Sequence, residues 1–344
     1  MIKYFFSFLL IFVVFIVENA NAQDPQFSQF YAAPLYLNPA LAGATGMARA
    51  GLNYRNQWPS IDASFVTSAV YFDYFFEQYN SGAGLLISTD KEGLAGLRST
   101  SISLNYAYQL RINDVFTVRP GITAAYTIRN IDFSKLTFGD QFDPLTGEVV
   151  QPATNEPLNV SNVGFIDFGA GALLYTETFW IGFAAHHLNT PDQAFTSGDV
   201  SLLPRKFSVH GGYKIKLPNI SYTKGQVPNR RERSITPTFQ YKKQGLFDQL
   251  DLGTYVTLEP VVFGLTYRGL PIKSFNGFPN NESVIFLVGM TFNGLSVGYS
   301  FDYTISDLGI SSGGAHEISI SYTFSTEDQR KPPRSIRQIP CPKF

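Results

Sequence analysis

Four histidines, one cysteine and many serines are the residues of this chain whose types suggest chemistry. His186 and His187 are adjacent in a run that reads as a strand. Neighbouring strand residues point to opposite faces, so the pair is poorly placed to close on one metal ion. His210 is expected on the polar face of its strand, and His316 near the outer rim at the start of the last one. No histidine has a cysteine or acidic cluster at ligand spacing, so no metal site and no cofactor are expected. A Ser-His-Asp triad is a spatial arrangement that a sequence does not display. Here no G-x-S-x-G occurs, and a polar strand face accounts for the serines, so the chain is read as no enzyme. Gly82, Gly84, Gly169, Gly171, Gly211 and Gly212 do not lead into a helix as a phosphate cradle would. They read as strand positions that ease curvature or close packing. Cys341 has no partner for an internal disulfide and reads as a free or intermolecular thiol.

The elements behind these residues are strands with one apolar and one polar face. Leu295, Val297, Tyr299, Phe301, Tyr303 and Ile305 alternate with Ser296, Gly298, Ser300, Asp302 and Thr304. This period of two marks a strand between an apolar and a polar medium. The same alternation runs through 102–110, 261–268 and 318–324. Fourteen strand candidates emerge: 47–57, 64–76, 82–89, 98–111, 115–131, 162–175, 178–188, 205–217, 233–243, 248–258, 260–268, 283–292, 294–306 and 315–325. Two are atypical: 162–175 is rich in Gly and Ala, and 283–292 is apolar on both faces. The fold expected is all-β: a transmembrane antiparallel barrel of about fourteen strands with lipid outside, polar side chains inside and periplasmic termini.

Composition and the chain ends agree. Charged residues are 15% and aromatic residues 15%, with 19 Tyr and 31 Phe. A soluble domain carries about 25% charged residues. The net charge of −1 speaks against nucleic acid as a partner. Lys3, the apolar run 4–17 and Ala20-Asn21-Ala22 form a secretory leader with a small-residue cleavage site, so the mature chain is expected to start at Gln23. The domain plan is therefore a signal peptide at 1–22, a periplasmic or plug segment at 23–46, the barrel at 47–325 and a periplasmic tail at 326–344. Phe27, Phe30, Tyr31 and Tyr36 are expected to anchor the plug. If the wall's ends are periplasmic, the short connections 111–114, 176–178, 258–260 and 292–294 are periplasmic turns. The longer 132–161, 189–204, 269–282 and 307–314 are then outside loops. The long basic stretch 218–232, with Lys224, Arg230 and Arg231, departs from that rule. With the aromatic face outward, Arg49, Arg55, Arg111, Lys214, Lys242, Arg268 and Asp302 point into the lumen. A charge on the lipid side would cost about 2–4 kcal/mol at the midplane, which sets that register.

The segment from Gln23-Asp24-Pro25-Gln26-Phe27-Ser28-Gln29-Phe30 to Leu37-Asn38-Pro39-Ala40-Leu41-Ala42-Gly43 resembles the opening of the PorP/SprF family of type IX secretion outer-membrane proteins. Ala315-His316-Glu317-Ile318-Ser319-Ile320-Ser321-Tyr322 is similar to that family's last strand, Tyr267-Arg268 to a Tyr-Arg position late in its barrel, and Ile339-Pro340-Cys341-Pro342-Lys343-Phe344 to its terminal motif. The resemblance implies an outer-membrane protein, reached by a cleaved signal peptide, that supports secretion or surface anchoring of cargo such as gliding adhesins. The implied partners are outer-membrane lipid, periplasmic secretion-system lipoproteins, and secreted cargo with a type-B C-terminal domain. The motif residues Gln26, Phe27, Ser28, Gln29, Phe30, Tyr31, Asn38, Pro39, Gly43, Cys341, Pro342 and Phe344 are the candidates for partner contact. Asn38-Pro39-Ala40 also resembles a motif of FadL-type channels for hydrophobic compounds, the alternative function. Such channels need an apolar pocket within the barrel.

Overall fold

The computed structural model describes residues 23–344 except 63, 94–95, 144, 152, 156–160, 196–199, 219–231, 276–277, 325–338 and 343. The leader, most of the basic stretch and most of the tail lie outside the described residues. The wall has fourteen strands: β1 Ala48–Gln57, β2 Phe65–Phe76, β3 Ser81–Glu92, β4 Leu97–Tyr108, β5 Thr117–Asn130, β6 Asn162–Tyr175, β7 Phe179–His186, β8 Lys206–Tyr213, β9 Arg233–Gln244, β10 Phe247–Leu258, β11 Val261–Phe275, β12 Phe278–Phe292, β13 Leu295–Thr304 and β14 Ala315–Phe324. After one-residue breaks, β4 resumes at Leu110–Arg111 and β8 at Ile215–Lys216. Each strand pairs antiparallel with its sequence neighbours, and β14 pairs with β1 from Ala48↔Phe324 to Gln57↔Ala315, which closes the barrel.

Closure pairs most of the wall's backbone polar groups without water. At the loop end Asn162–Gly169 of β6 runs past the shorter β7, and there Leu188 N–H and the Asn189 side chain bond the backbone of Ile166 and Phe168 instead. The side chains invert the usual soluble pattern. Leu52, Val70, Ile87, Leu104, Ile122, Ile166, Phe183, Leu265, Phe286 and Ile320 are exposed on the outer surface. Asn53, Arg55, Asp73, Asn105, Arg119, His210, Asp251, Arg268, Asp302 and Glu317 are buried inside. Hydrocarbon around the wall explains both halves of that pattern. Phe76, Tyr108, Tyr213, Phe292 and Phe324 ring one end as an aromatic girdle, each at a strand terminus. The exposed charges Lys91, Arg98 and Lys243 sit one residue from strand ends, clear of the midplane.

The connections sort by end. Ala48 and Phe324 meet at the end we call terminal, where the turns 77–80, 112–116, 176–178, 259–260 and 293–294 are short. The opposite end, called the loop end, carries 131–161 and 187–205. One expected loop there is a correction. Residues 269–282 continue the hairpin instead, with β11 reaching Phe275 and β12 starting at Phe278. Register shifts at Arg268/Gly269 and Leu270/Ser274 interrupt the alternation and made this stretch read as irregular.

Candidate functional site

The lumen is filled by the chain itself. Residues 23–45 thread it, with one helical turn at Pro34–Leu37 (α1) and a 3-10 turn at Pro39–Leu41. Phe27, Ser28, Gln29, Phe30, Tyr31, Leu35, Asn38, Ala40 and Ala42 are all buried.

The outer part of this plug is held by charge. Asp24 accepts from Lys206 Nζ at 2.5 Å, from His187 Nε2 at 2.8 Å and from Gln244 Nε2 at 2.9 Å. Its own N–H donates to Gln244 Oε1 at 2.9 Å. Deeper in, the N–H groups of Ser28 and Gln29 donate to the two oxygens of Glu317 at 2.6 and 3.1 Å. The Ser28 hydroxyl donates to Asp302 at 2.6 Å. Gln29 donates to Ser300 and accepts from Ser319. Lys242 donates to Gln26, and Gln26 to Glu282. Behind Ser28 lies a buried ion network. Arg55 meets Asp302 at 2.8 Å, and Arg268 bridges Asp302 at 3.2 Å and Asp251 at 2.9 Å. Charge-assisted bonds of this kind are stronger than neutral ones, and desolvation makes each partner necessary to the others.

The inner part is held by shape. Asn38 caps the 3-10 turn by accepting from Ala40 N at 2.9 Å, and Pro39 presets the first turn position. The same amide donates to the carbonyls of Ala172 and Phe183 at 3.3 and 3.1 Å. It reaches them because Gly171 has no side chain: a Cβ there would overlap Asn38 Oδ1. Gly121 likewise lies against the backbone of Pro39 and Ala40, and Gly82 against the carbonyl of Ala42. Arg119 donates to the carbonyls of Ala40 and Ala42. Gly43, at φ 66°, donates to Asp73, which also takes a two-pronged ion pair from Arg49.

Between these parts an apolar cluster joins plug, wall and carboxyl end. Phe30, Tyr31 and Leu37 pack with Leu173, Tyr175, Trp180, Tyr255, Val262 and Leu287, and with Ile339 and Phe344. Trp180 donates to the Tyr31 hydroxyl at 3.1 Å, and Phe344 stacks on Tyr255 with ring centroids 5.3 Å apart. Cys341 packs against this cluster and Pro342 is buried beside the plug. Cavities among the described residues include one of about 60 Å³ and one of about 150 Å³ toward the loop end and one of about 420 Å³ between plug and carboxyl end.

Of the residues expected in the lumen, Arg55, Arg268 and Asp302 meet in one network, Lys242 holds Gln26 of the plug, and Arg49 pairs separately with Asp73. Lys214 pairs with Glu232 at the terminal end. Arg111 is exposed at the rim, because β4 breaks at Gln109, whose side chain turns in to Arg119. Arg119, Asp73, Asp251, Glu317, Lys206 and Asp24 were missed. Strand parity was the signal: Arg119 shares the inward face of Thr117 and Gly121. Among the described residues no group of three or more His, Cys, Asp or Glu side chains is gathered as a metal ion would need. His210 faces Asn38 inside, and His316 faces Tyr299 outside.

His187 lies past the end of β7 with φ 56°, and its ring sits between two carboxylates, Asp24 and Asp167, both at 2.8 Å. Burial would lower its pKa, but the carboxylates outweigh burial and hold it up at about 9. A raised pKa gives stability that is complete below the free value of about 6.5. That stability is lost as pH rises through about 9. Protease protection of residues 23–30 should therefore decline between these pH values. His187→Gln should flatten the profile, and an unchanged slope in that variant would remove His187 from the latch.

A closed wall with an apolar exterior, an aromatic girdle and a lumen plugged by its own amino-terminal segment defines an outer-membrane β-barrel protein. A model of the family described as type IX secretion system membrane protein PorP/SprF matches residues 19–322, and the chain belongs to that family. It is thus a membrane component of type IX secretion. No curated protein matches the sequence. Similar solved structures include Omp33 of Acinetobacter baumannii, at 9% identity and TM-score 0.43 over 81% of this chain and 98% of that one. The P. putida toluene transporter TodX shows 13% identity and TM-score 0.43 over 84% and 93%. The monoaromatic hydrocarbon channel CymD shows 14% and 0.42 over 85% and 93%.

Proposed function

We propose that this barrel is a plugged anchor of the type IX system, with the wall's ends facing the periplasm. It supports secretion or surface attachment of cargo with a type-B C-terminal domain, gliding adhesins among them. It docks to periplasmic secretion-system lipoproteins and carries out no bond chemistry. The observation that supports this most is the filled lumen. A segment fixed at Asp24, Ser28, Gln29, Asn38 and Gly43 makes a rigid body of the barrel. A platform that holds a partner benefits from that rigidity, whereas an open diffusion pore does not need it. Affinity purification from native membranes should recover lipoproteins of the system and cargo. Recovery of neither would sink the proposal.

The candidate contact residues divide on this reading. Gln26 to Tyr31, Asn38, Pro39 and Gly43 act through the plug's seat, and Cys341, Pro342 and Phe344 through the carboxyl end. Deleting 326–344 should leave a heat-modifiable barrel that loses partner binding and cargo display. Ile339 and Phe344 also fill the lumen, and Ile339 is not among the contact candidates, so Ile339→Ala separates packing from docking. It should loosen the apolar cluster by about 3 kcal/mol while partner binding persists. Cargo display that survives the deletion unchanged would remove the docking role.

A second reading, a channel for hydrophobic compounds, is favoured by the cavity of about 420 Å³, lined in part by Tyr31, Leu41, Ile339 and Phe344. Trp180 touches Tyr31, so a bound lipophile should change its fluorescence. No change at saturating lipophile would dismiss the channel.

A further inference from the structure

The amino end of the plug and the start of the wall lie at opposite ends of the barrel. Asp24 is bound by Lys206, the first residue of β8, and by Gln244, the last residue of β9, both at the loop end. Ser28 lies one step deeper, against Asp302 near the end of β13 and Glu317 near the start of β14. Tyr31 has reached Trp180, the second residue of β7, near the terminal end. The chain doubles back through α1. It descends again through Asn38 to Ala42, which lies against Gly82, the second residue of β3. Gly43 then leads to β1 at the terminal end. Residues 24–43 thus span the lumen lengthwise, pinned by buried hydrogen bonds at each level.

We infer that the amino terminus of the mature chain is displayed on the outer face of the membrane, opposite the two ends of the wall. Hydrolysis of the peptide bond behind the leader must then precede closure of the wall around the plug. The inference rests on the reading that the wall's ends are periplasmic. Gln23 is exposed and borders the cavity that opens at the loop end. The second mature residue is held there by four hydrogen bonds, including one from its own backbone. This fixes the outlet, so a fold-back of the amino end toward the periplasm would have to break the latch. A leader still attached to Gln23 would leave the apolar run 4–17 on the outer aqueous side, where it has nothing to bury against. The displayed end is a handle that only extracellular molecules can reach.

Topology labelling on intact cells tests this. One epitope is placed directly ahead of Gln23, behind the cleavage site. A second follows Leu145 in the loop-end connection 131–161, where Leu145 is 95% exposed. A third follows Glu177 in the terminal-end turn 176–178. Antibody should reach the first two on intact cells and the third only after permeabilisation, in proteins that keep heat-modifiable migration. If the Leu145 epitope is reached from outside and the Gln23 epitope only after permeabilisation, the inference fails while the orientation stands. If the Glu177 epitope is reached from outside and the Leu145 epitope is not, the orientation fails and takes the inference with it. The folded species should have the mass of a chain that begins at residue 23. A folded, heat-modifiable species that retains the leader would overturn the order of events.

Discussion

Gly121→Val will leave the wall standing and unseat the plug. Gly121 faces the lumen in β5, directly under the 3-10 turn, where a Cβ would overlap Ala40 N and Pro39 C. Those atoms are backbone and have no rotamer to give. The turn is held from the other side by Asn38, whose amide is committed to Ala40, Ala172 and Phe183, and by Arg119 on the carbonyls of Ala40 and Ala42. Overpacking a well-packed site costs about 1–3 kcal/mol when side chains can adjust. With backbone on the receiving side, the upper end of that range is expected. A loss of about 3 kcal/mol lowers the ratio of seated to unseated plug roughly a hundredfold. The pairing of β5 with β4 and β6 does not depend on the side chain, so the barrel should still migrate as a heat-modifiable species. Residues 23–45 should become cleavable by added protease, and planar-bilayer conductance should rise. Ile122→Val, one residue on and 61% exposed to lipid, should do neither. A Gly121→Val barrel as protected and as silent as the parent would show that the plug does not depend on this contact.

The wall was legible in the sequence because hydrocarbon makes a single demand on every strand. An outward charge is costly and an inward one is not, so parity assigns Arg55, Arg268 and Asp302 to the inner face of their strands, where they are buried. The two atypical strands mark where parity stops. β12 is apolar on both faces because Ile285 and Leu287 line the lumen where plug and carboxyl end have displaced water. β6 carries Gly at 171 because Asn38 must approach its backbone, while Gly164 and Gly169 make room for Tyr126 and Thr123 of β5. Both signals are visible, but their cause lies in distant segments with no periodicity of their own, Asn38 standing 134 positions from Ala172. The plug's path was illegible for the same reason. Asp24 meets Lys206 across 182 positions and Ser28 meets Glu317 across 289, and nothing local in either partner encodes the pairing. His187 shows the limit of a strand-based reading. Its adjacency to His186 reads as strand geometry in the sequence, yet the strand ends at His186 and a left-handed residue turns the second ring toward Asp24.

Arg268→Met should destabilise the whole molecule and loosen its plug at the same time. Arg268 is fully buried and reaches Asp251 through Nε and Asp302 through Nη1. Asp302 in turn takes the Ser28 hydroxyl and Arg55. Removing the cation strands Asp251, Asp302 and Glu282 in or beside a desolvated lumen, with one guanidinium, Arg55, already shared by Asp302 and Glu317. Breaking a buried pair from one side costs about 3–5 kcal/mol, because the partner remains charged and unpaired. Denaturant unfolding followed by heat-modifiable migration should show that loss, and protease should begin to reach Ser28. Arg268→Met with Asp251→Asn should recover a part of it, since one stranded charge is then gone. The coupling expected for neighbours in one network is about 0.5–3 kcal/mol. Arg268→Lys should fall between, because an ammonium restores charge but not a fork that spans two carboxylates. The resemblance of Tyr267-Arg268 to a family position acquires a physical reason from this geometry. Tyr267 faces outward and donates to Asn281, while the next residue must face inward and tie three strands of the wall to the plug. If Arg268→Met unfolds at the parent's denaturant concentration with the plug equally protected, the ion network does not hold the seat. The inner contacts at Asn38, Gly121 and Arg119 would then carry it alone.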